Sequence, residues 1–153
     1  MVLVALVGGD GHELALAGPV EPQLDLAAGA QPGPMGLDPA GLARTYGSRI
    51  THVHCKDIRL SVRSAALESD ASFPDAVIGN VSTVPGEGIF TVPGDGDVDF
   101  ASVLAEMKKA AYDGWLVVEA EQDPAKAPPL EYAKIGHRHL SEVFAAAGFD
   151  IVD

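Results

Sequence analysis

The sequence predicts an α/β fold built around a parallel sheet, and two observations lead to this class. Short apolar runs, such as residues 2–7 (VLVALV) and 115–121 (WLVVEAE), have the length and composition of buried strands. Segments with helix caps and apolar stripes separate these runs, in the order strand, helix, strand, helix, long loop, helix, strand and helix. Strands that alternate with helices in this way normally pair in parallel, because each helix returns the chain to the starting edge.

The first half of the chain is predicted to hold two strands and one helix. After the first strand, residues 18–37 are rich in glycine, proline and alanine without a period, which predicts an irregular insert. Asp38 then offers an N-cap, Pro39 a first helical residue and Gly47 an end for the helix between them. Residues 49–57 (RITHVHCKD) are predicted as the second strand.

The second half is predicted to run from weak helices through a long loop into two strong helices. Residues 60–79 are weakly helical, and residues 80–98 contain two Pro-Gly pairs that predict a long irregular loop. Asp99 caps the next helix, which Gly114 ends before the third strand. A last helix follows that strand and ends at Gly148.

Composition limits the compartment and the partners of the chain. Its 153 residues are 47% hydrophobic, which predicts one globular domain over residues 1–153. A net charge of -12 argues against nucleic acid or an anionic membrane as a partner, since both require a basic surface. No apolar run approaches the ~20 residues that span a bilayer. The single cysteine, Cys55, excludes an internal disulfide and favours the cytoplasm.

Ionisable side chains are concentrated where two predicted strands end. Alternation along residues 49–57 puts His52, His54 and Lys56 on one face. The same alternation puts Glu119 and Glu121 on one face of the third strand. Active sites of parallel α/β sheets lie at the C-terminal ends of their strands. The pattern therefore predicts one polar cavity in which a histidine and a glutamate could bind Mn, Co, Fe or Zn.

Simpler interpretations of the same residues stay open. A single histidine on a buried strand is more often a hydrogen-bonded core residue than a metal ligand, and this alternative applies to His54. Cys55 points to the opposite face, where it is expected to pack as a small hydrophobe.

Three segments of the chain resemble a known family. They are ITHVHCKDIR at 50–59, FTVPGDGDVDF at 90–100 and GWLVVEAEQDPAKAPPLEYAK at 114–134. Together they resemble the C-terminal half of inosose dehydratases, which belong to a xylose isomerase-like group of sugar enzymes. The resemblance covers roughly residues 37–145. It implies a partial TIM (β/α)8 barrel, to which this chain contributes about three C-terminal strand–helix units with parallel strands.

The resemblance also implies roles for individual residues. The family binds a divalent metal, Mn or Co by expectation, through Glu, Asp, His and Glu from four strands. The implied ligands are His54, Glu119 and Asp10; Asp10 lies with His12 in GGDGH, one residue short of the family's Asp-Thr-Gly-His motif. Implied substrate contacts are Lys56, Asp57, Arg59 and His12. Glu121 and Lys56 are the implied catalytic proton carriers.

The reaction implied by the resemblance removes water from inosose, a cyclic keto-polyol, to give a diketone in inositol catabolism. A small-molecule sugar isomerase or epimerase of the same group fits the shorter pattern His-x-Lys-Asp and Val-Val-Glu equally well. A third alternative is a non-catalytic half-barrel, because a full barrel needs ~250 residues. Such a fragment is expected to self-associate through open sheet edges and an exposed patch of Ile50, Val117 and Trp115.

Overall fold

A computed structural model describes residues 4–7, 23–25, 38–69, 71–81 and 87–150 of the chain. The strands are β1 (Val4–Val7), β2 (Gln23–Asp25), β3 (His52–Cys55), β4 (Asp57–Ile58), β5 (Phe90–Thr91) and β6 (Trp115–Val118). The helices are α1 (Pro39–Tyr46), α2 (Leu60–Leu67), α3 (Phe73–Ile78), α4 (Phe100–Lys109) and α5 (Pro129–Ala146). None of the helices in this part of the chain is long and apolar enough to cross a membrane.

Four strands form the main sheet, in the order β1-β6-β3-β2. β2 is parallel to β3, and β3 is parallel to β6. Helix α1 joins β2 to β3, and α4 precedes β6 on the way from β3, so the strands linked by helices are neighbours in the sheet. Helix α5 follows β6. This arrangement of adjacent parallel strands joined by helices is a segment of an α/β barrel. The predicted partial barrel with about three strand–helix units is confirmed.

Two expectations for the N-terminal region are wrong. β1 pairs antiparallel with β6, although the sequence predicted an all-parallel sheet. The sequence predicted that the helix after Asp38 joins β1 to the strand at 49–57, whereas in the structure this helix joins β2 to β3 and therefore does not set the direction of β1. The predicted irregular insert at 18–37 also contains β2, a strand of three residues that pairs with β3. Its glycine- and proline-rich surroundings concealed this short strand.

Helix boundaries follow the predicted signals in part. The Asp99 side chain accepts a hydrogen bond from the Ser102 backbone N–H at 3.0 Å and caps α4 as expected. Asp38 occupies the N-cap position of α1 but makes no capping hydrogen bond through its side chain. Gly148 has a φ of 78° just after α5, a left-handed conformation that favours glycine at a helix end.

The main core lies between the sheet and the helices. Val53, Cys55, Leu116 and Val118 are all at most 2% exposed and pack there, as the alternation predicted. The expected exposed patch is wrong, because Ile50 and Val117 are each only 8% exposed and Trp115 is half-buried. Ile50 precedes β3 and packs into this same core, so the strand alternation does not extend to it.

Candidate active site

His54 and Glu119 meet at the C-terminal ends of two neighbouring strands. Cys55 of β3 is in register with Val118 of β6, so Glu119 emerges beside the end of β3. The Glu119 backbone N–H donates to the Cys55 carbonyl at 3.1 Å and fixes this position. His54 Nδ1 is 3.1 Å from Glu119 Oε2. The predicted approach of these two side chains on one face is confirmed, whereas their role as metal ligands stays a prediction.

Lys56 is enclosed by two carboxylates and one aromatic ring. Its Nζ atom lies 3.4 Å from Glu119 Oε1 and 3.6 Å from Glu121 Oε2. The same atom lies 4.9 Å from the centre of the Phe90 ring, within the range of a cation–π interaction. Only 7% of the Lys56 side chain is exposed, against 50% for Glu121. The site therefore holds a buried ammonium group beside one shielded and one accessible carboxylate.

The donor atoms fit a divalent metal, although the described side chains complete only part of a site. Ligand atoms about 2.1 Å from one ion and at right angles to each other are about 3 Å apart. The 3.1 Å between His54 Nδ1 and Glu119 Oε2 matches that separation. Among side chains that the structure describes, no group of three His, Cys, Asp or Glu could hold a metal ion. His54 and Glu119 would therefore act as two ligands of a larger set.

The sheet register places the backbone of a third acidic residue, Asp25, beside that of His54. Asp25 at the end of β2 is paired with His54 of β3, and His54 is paired with Val117 of β6. Residues paired in this way occupy one row across neighbouring strands. Asp10 and His12, the predicted acidic ligand and its neighbour, lie outside the described residues. The register of β2 was not foreseen from the sequence, because residues 18–37 gave no strand signal.

Asp57 binds the backbone of the protein itself, and its predicted contact with substrate stays a prediction. Its side chain is fully buried and accepts hydrogen bonds from four backbone N–H groups. These donors belong to Ile58 (2.8 Å), Gly94 (2.9 Å), Gly96 (3.2 Å) and Val98 (2.8 Å). Burial raises the pKa of the Asp57 carboxyl, while the four N–H groups act in the opposite direction. Asp57 thus anchors the loop between β5 and α4.

Arg59 also binds the protein itself, through three hydrogen bonds. Its guanidinium donates to the Gly88 carbonyl at 2.8 Å, to Thr91 Oγ1 at 3.1 Å and to Asp95 Oδ2 at 2.5 Å. Arg59 lines a cavity of about 200 Å³ together with Gln122. His54, Lys56 and Glu119 are not among the residues that line that cavity, and the predicted contact of Arg59 with substrate stays a prediction.

Thr91 connects the loop between β5 and α4 with the segment that follows β6. The sequence did not point to this residue. Its buried hydroxyl accepts from Arg59 Nη2 at 3.1 Å and from Gln122 Nε2 at 3.2 Å, and donates to Asp95 Oδ2 at 2.6 Å. A hydroxyl has one donor and two acceptor positions, so all three are used. Gln122 directly follows Glu121 in the chain, and this network therefore holds the backbone that carries Glu121. The only sequence signal was a hydroxyl residue within a long loop.

Replacing Thr91 by valine should lower the free energy of unfolding by about 2 kcal/mol, because three partly buried polar side chains lose the buried hydroxyl that they share. Thr91→Ser keeps the hydroxyl and loses one methyl group, so it should cost only about 1 kcal/mol. Urea unfolding followed by fluorescence of Trp115, the one tryptophan in the chain, measures both variants. A serine variant less stable than the valine variant would show that the methyl group matters more than the network.

The fold and the site together define a class of protein. Consecutive parallel strand–helix units carry ionisable side chains at the C-terminal strand ends, as in enzymes built on α/β barrels. The sequence pattern of the xylose isomerase-like TIM barrel family matches residues 20–143. The chain belongs to this family.

Curated relatives make the comparison more specific. The chain is 57% identical over 114 residues to a rhizopine catabolism protein, MocC, of Rhizobium meliloti, covering 74% of this chain and 33% of the relative. It is 47% identical over 107 residues to an inosose dehydratase of Clostridium tetani, covering 70% of this chain and 33% of the relative. An inosose dehydratase of Salmonella typhimurium is 45% identical over 102 residues, covering 67% of this chain and 31% of the relative. The chain spans about a third of the length of these relatives.

Proposed function

We propose that this chain carries part of the active site of a metal-dependent dehydratase that acts on inosose, a cyclic keto-polyol. The observation that supports this proposal most directly is the cluster of His54, Lys56, Glu119 and Glu121 at the ends of β3 and β6. Two relatives that are 45–47% identical to the chain are inosose dehydratases. With its single, buried cysteine, the chain suits the reducing cytoplasm.

His54 and Glu119 are the proposed metal ligands, with Asp25 as the acidic residue nearest in the sheet register. Mn or Co is the proposed ion, since imidazole and carboxylate ligands together suit such metals. When bound, the ion would polarise the substrate ketone and the neighbouring hydroxyl, which acidifies the adjacent C–H bond. Asp10 stays the acidic ligand that the resemblance implies, outside the described residues, and the pairing of β2 with β3 adds Asp25 as a second candidate.

Glu121 and Lys56 are the proposed proton carriers. Glu121 is half exposed at the mouth of the site, where its carboxylate can accept the proton from the carbon beside the ketone. Lys56 is held as an ammonium between two carboxylates and can donate a proton to the hydroxyl group as its C–O bond breaks. That hydroxyl leaves as water, and the electron pair of the broken C–H bond forms the new double bond.

The chain as it stands should show no substantial turnover of inosose and should self-associate. Three parallel strands do not close a barrel, and β2 leaves the sheet with an unpaired edge within the described residues. Light scattering of the purified chain and an inosose assay with added Mn or Co test this expectation. A stable monomer that turns over inosose like the Clostridium tetani enzyme would contradict it.

Complementation tests the proposed activity itself. The chain is produced together with the part of the Clostridium tetani relative that it does not match, and the pieces are purified as a complex. The complex is expected to release water from inosose when Mn or Co is added, and to lose this activity when the chain carries Glu119→Gln. Mass spectrometry of the product separates dehydration from isomerisation. An isomer of the substrate, or an inactive complex, would contradict the proposal.

A further inference from the structure

Lys56 competes with any metal ion for the same carboxylate. Glu119 Oε2 is 3.1 Å from His54 Nδ1, and Glu119 Oε1 is 3.4 Å from Lys56 Nζ. Both oxygens of Glu119 therefore have a partner before a cation enters. A divalent ion bound by His54 and Glu119 would face the ammonium group across one carboxylate. Like charges this close repel strongly, because water screens them poorly in a partly buried site.

A second carboxylate is already in place to receive the ammonium. Glu121 Oε2 is 3.6 Å from Lys56 Nζ, nearly as close as Glu119. The Phe90 ring supports the ammonium in addition, at 4.9 Å. Glu121 is 50% exposed and free to adjust its side chain, while the hydrogen bond from Gln122 to Thr91 holds the neighbouring backbone. Lys56 can thus shift from one carboxylate to the other without entering solvent.

We propose that metal entry transfers Lys56 from Glu119 to Glu121, so that Lys56 lowers the affinity of the site for divalent cations and Glu121 offsets this effect. This inference rests on the proposed metal site at His54 and Glu119. It gives Lys56 and Glu121 a role in metal binding that is separate from proton transfer. The site would then exchange its metal more readily than its ligands alone dictate.

A double-mutant cycle measured by calorimetric titration with MnCl2 tests the transfer. Lys56→Met removes the competing charge at similar size and should tighten Mn²⁺ binding by at least about tenfold. Glu121→Gln removes the receiving carboxylate and should weaken binding by roughly threefold or more. In the Lys56→Met background, Glu121→Gln should have much less effect, because no ammonium remains to be received.

Matched controls separate this mechanism from the overall charge of the protein. Lys109→Met and Glu131→Gln make the same charge changes at exposed helix positions, and should leave Mn²⁺ affinity within about twofold. Equal or weaker binding by Lys56→Met would overturn the inference and leave the metal site intact. An equal effect of Glu121→Gln in both backgrounds would also overturn it.

One further outcome and a control for folding complete the test. Absence of Mn²⁺ binding in the wild type and in all variants would overturn the proposed metal site, and this inference with it. Circular dichroism establishes that each variant is folded. Lys56→Gln, a shorter neutral side chain, replaces Lys56→Met in the cycle if the methionine variant does not fold, with the same expected changes.

Discussion

Replacing Glu119 by glutamine should weaken Mn²⁺ binding by on the order of a hundredfold or more. A neutral amide is a poor ligand for a divalent ion, and the substitution removes the carboxylate that lies 3.1 Å from His54 Nδ1. The change also leaves Lys56 with Glu121 as its remaining carboxylate partner, so the local positive charge rises. Calorimetric titration of the full chain with MnCl2 measures the loss.

Two control variants define what the Glu119 result means. Glu131→Gln makes the same chemical change on the exposed surface of α5, and Cys55→Ser alters the strand next to His54 on its opposite face. Both should keep Mn²⁺ affinity within about twofold of the wild type. Losses of equal size in Glu119→Gln and in either control would exclude Glu119 as a ligand.

Removing the Asp57 carboxylate should lower the free energy of unfolding by about 3 kcal/mol or more. Four backbone N–H groups donate to this buried side chain, and three of them belong to the loop between β5 and α4. In Asp57→Ala, these donors lose a charged acceptor that no neighbouring group replaces. The loop should loosen as well, since Asp57 joins it to β4. Urea unfolding followed by Trp115 fluorescence measures the stability.

The size of the Asp57 effect can be compared with two related substitutions. Asp57→Asn retains one acceptor oxygen, so its free energy of unfolding should lie between those of the wild type and the alanine variant. Asp113→Ala removes an exposed aspartate and should change stability by less than about 0.5 kcal/mol. If Asp57→Ala were as stable as Asp113→Ala, the four hydrogen bonds would make no net contribution to the free energy of unfolding.

The sequence predicted the part of the site that depends on strand periodicity. His54 and Glu119 were placed on one face because side chains alternate strictly within β3 and β6, and the structure confirms this. The same rule puts Asp57 on the opposite face, with Cys55, and its contact with substrate was implied by the resemblance alone. The strand predicted over 49–57 divides into β3 and β4, and β4 pairs with β5 in a separate small sheet. Asp57 consequently points into the loop rather than into the cavity.

Contacts between distant segments were the part that the sequence could not predict. Thr91 and Asp95 accept hydrogen bonds from Arg59, and Gln122 donates to Thr91. These residues come from separate segments of the chain that show no shared period. The direction of β1 was missed for a related reason, because it depends on pairing with β6, a strand from a distant part of the chain. Helix caps and apolar stripes are local signals, whereas these arrangements depend on which segments the finished fold brings together.

The pairing of β1 with β6 sets an order of events during protein synthesis. Val4 pairs with Val118 and Val7 with Trp115, so the partner of β1 is made only after most of the chain has left the ribosome. Until then, the apolar segment VALV has no β6 to pair with and can pair with strands of other nascent chains. Slow translation of the residues between β1 and β6 would prolong the time during which β1 is unpaired. The yield of folded protein should therefore depend on translation speed and on chaperones that bind β1 early.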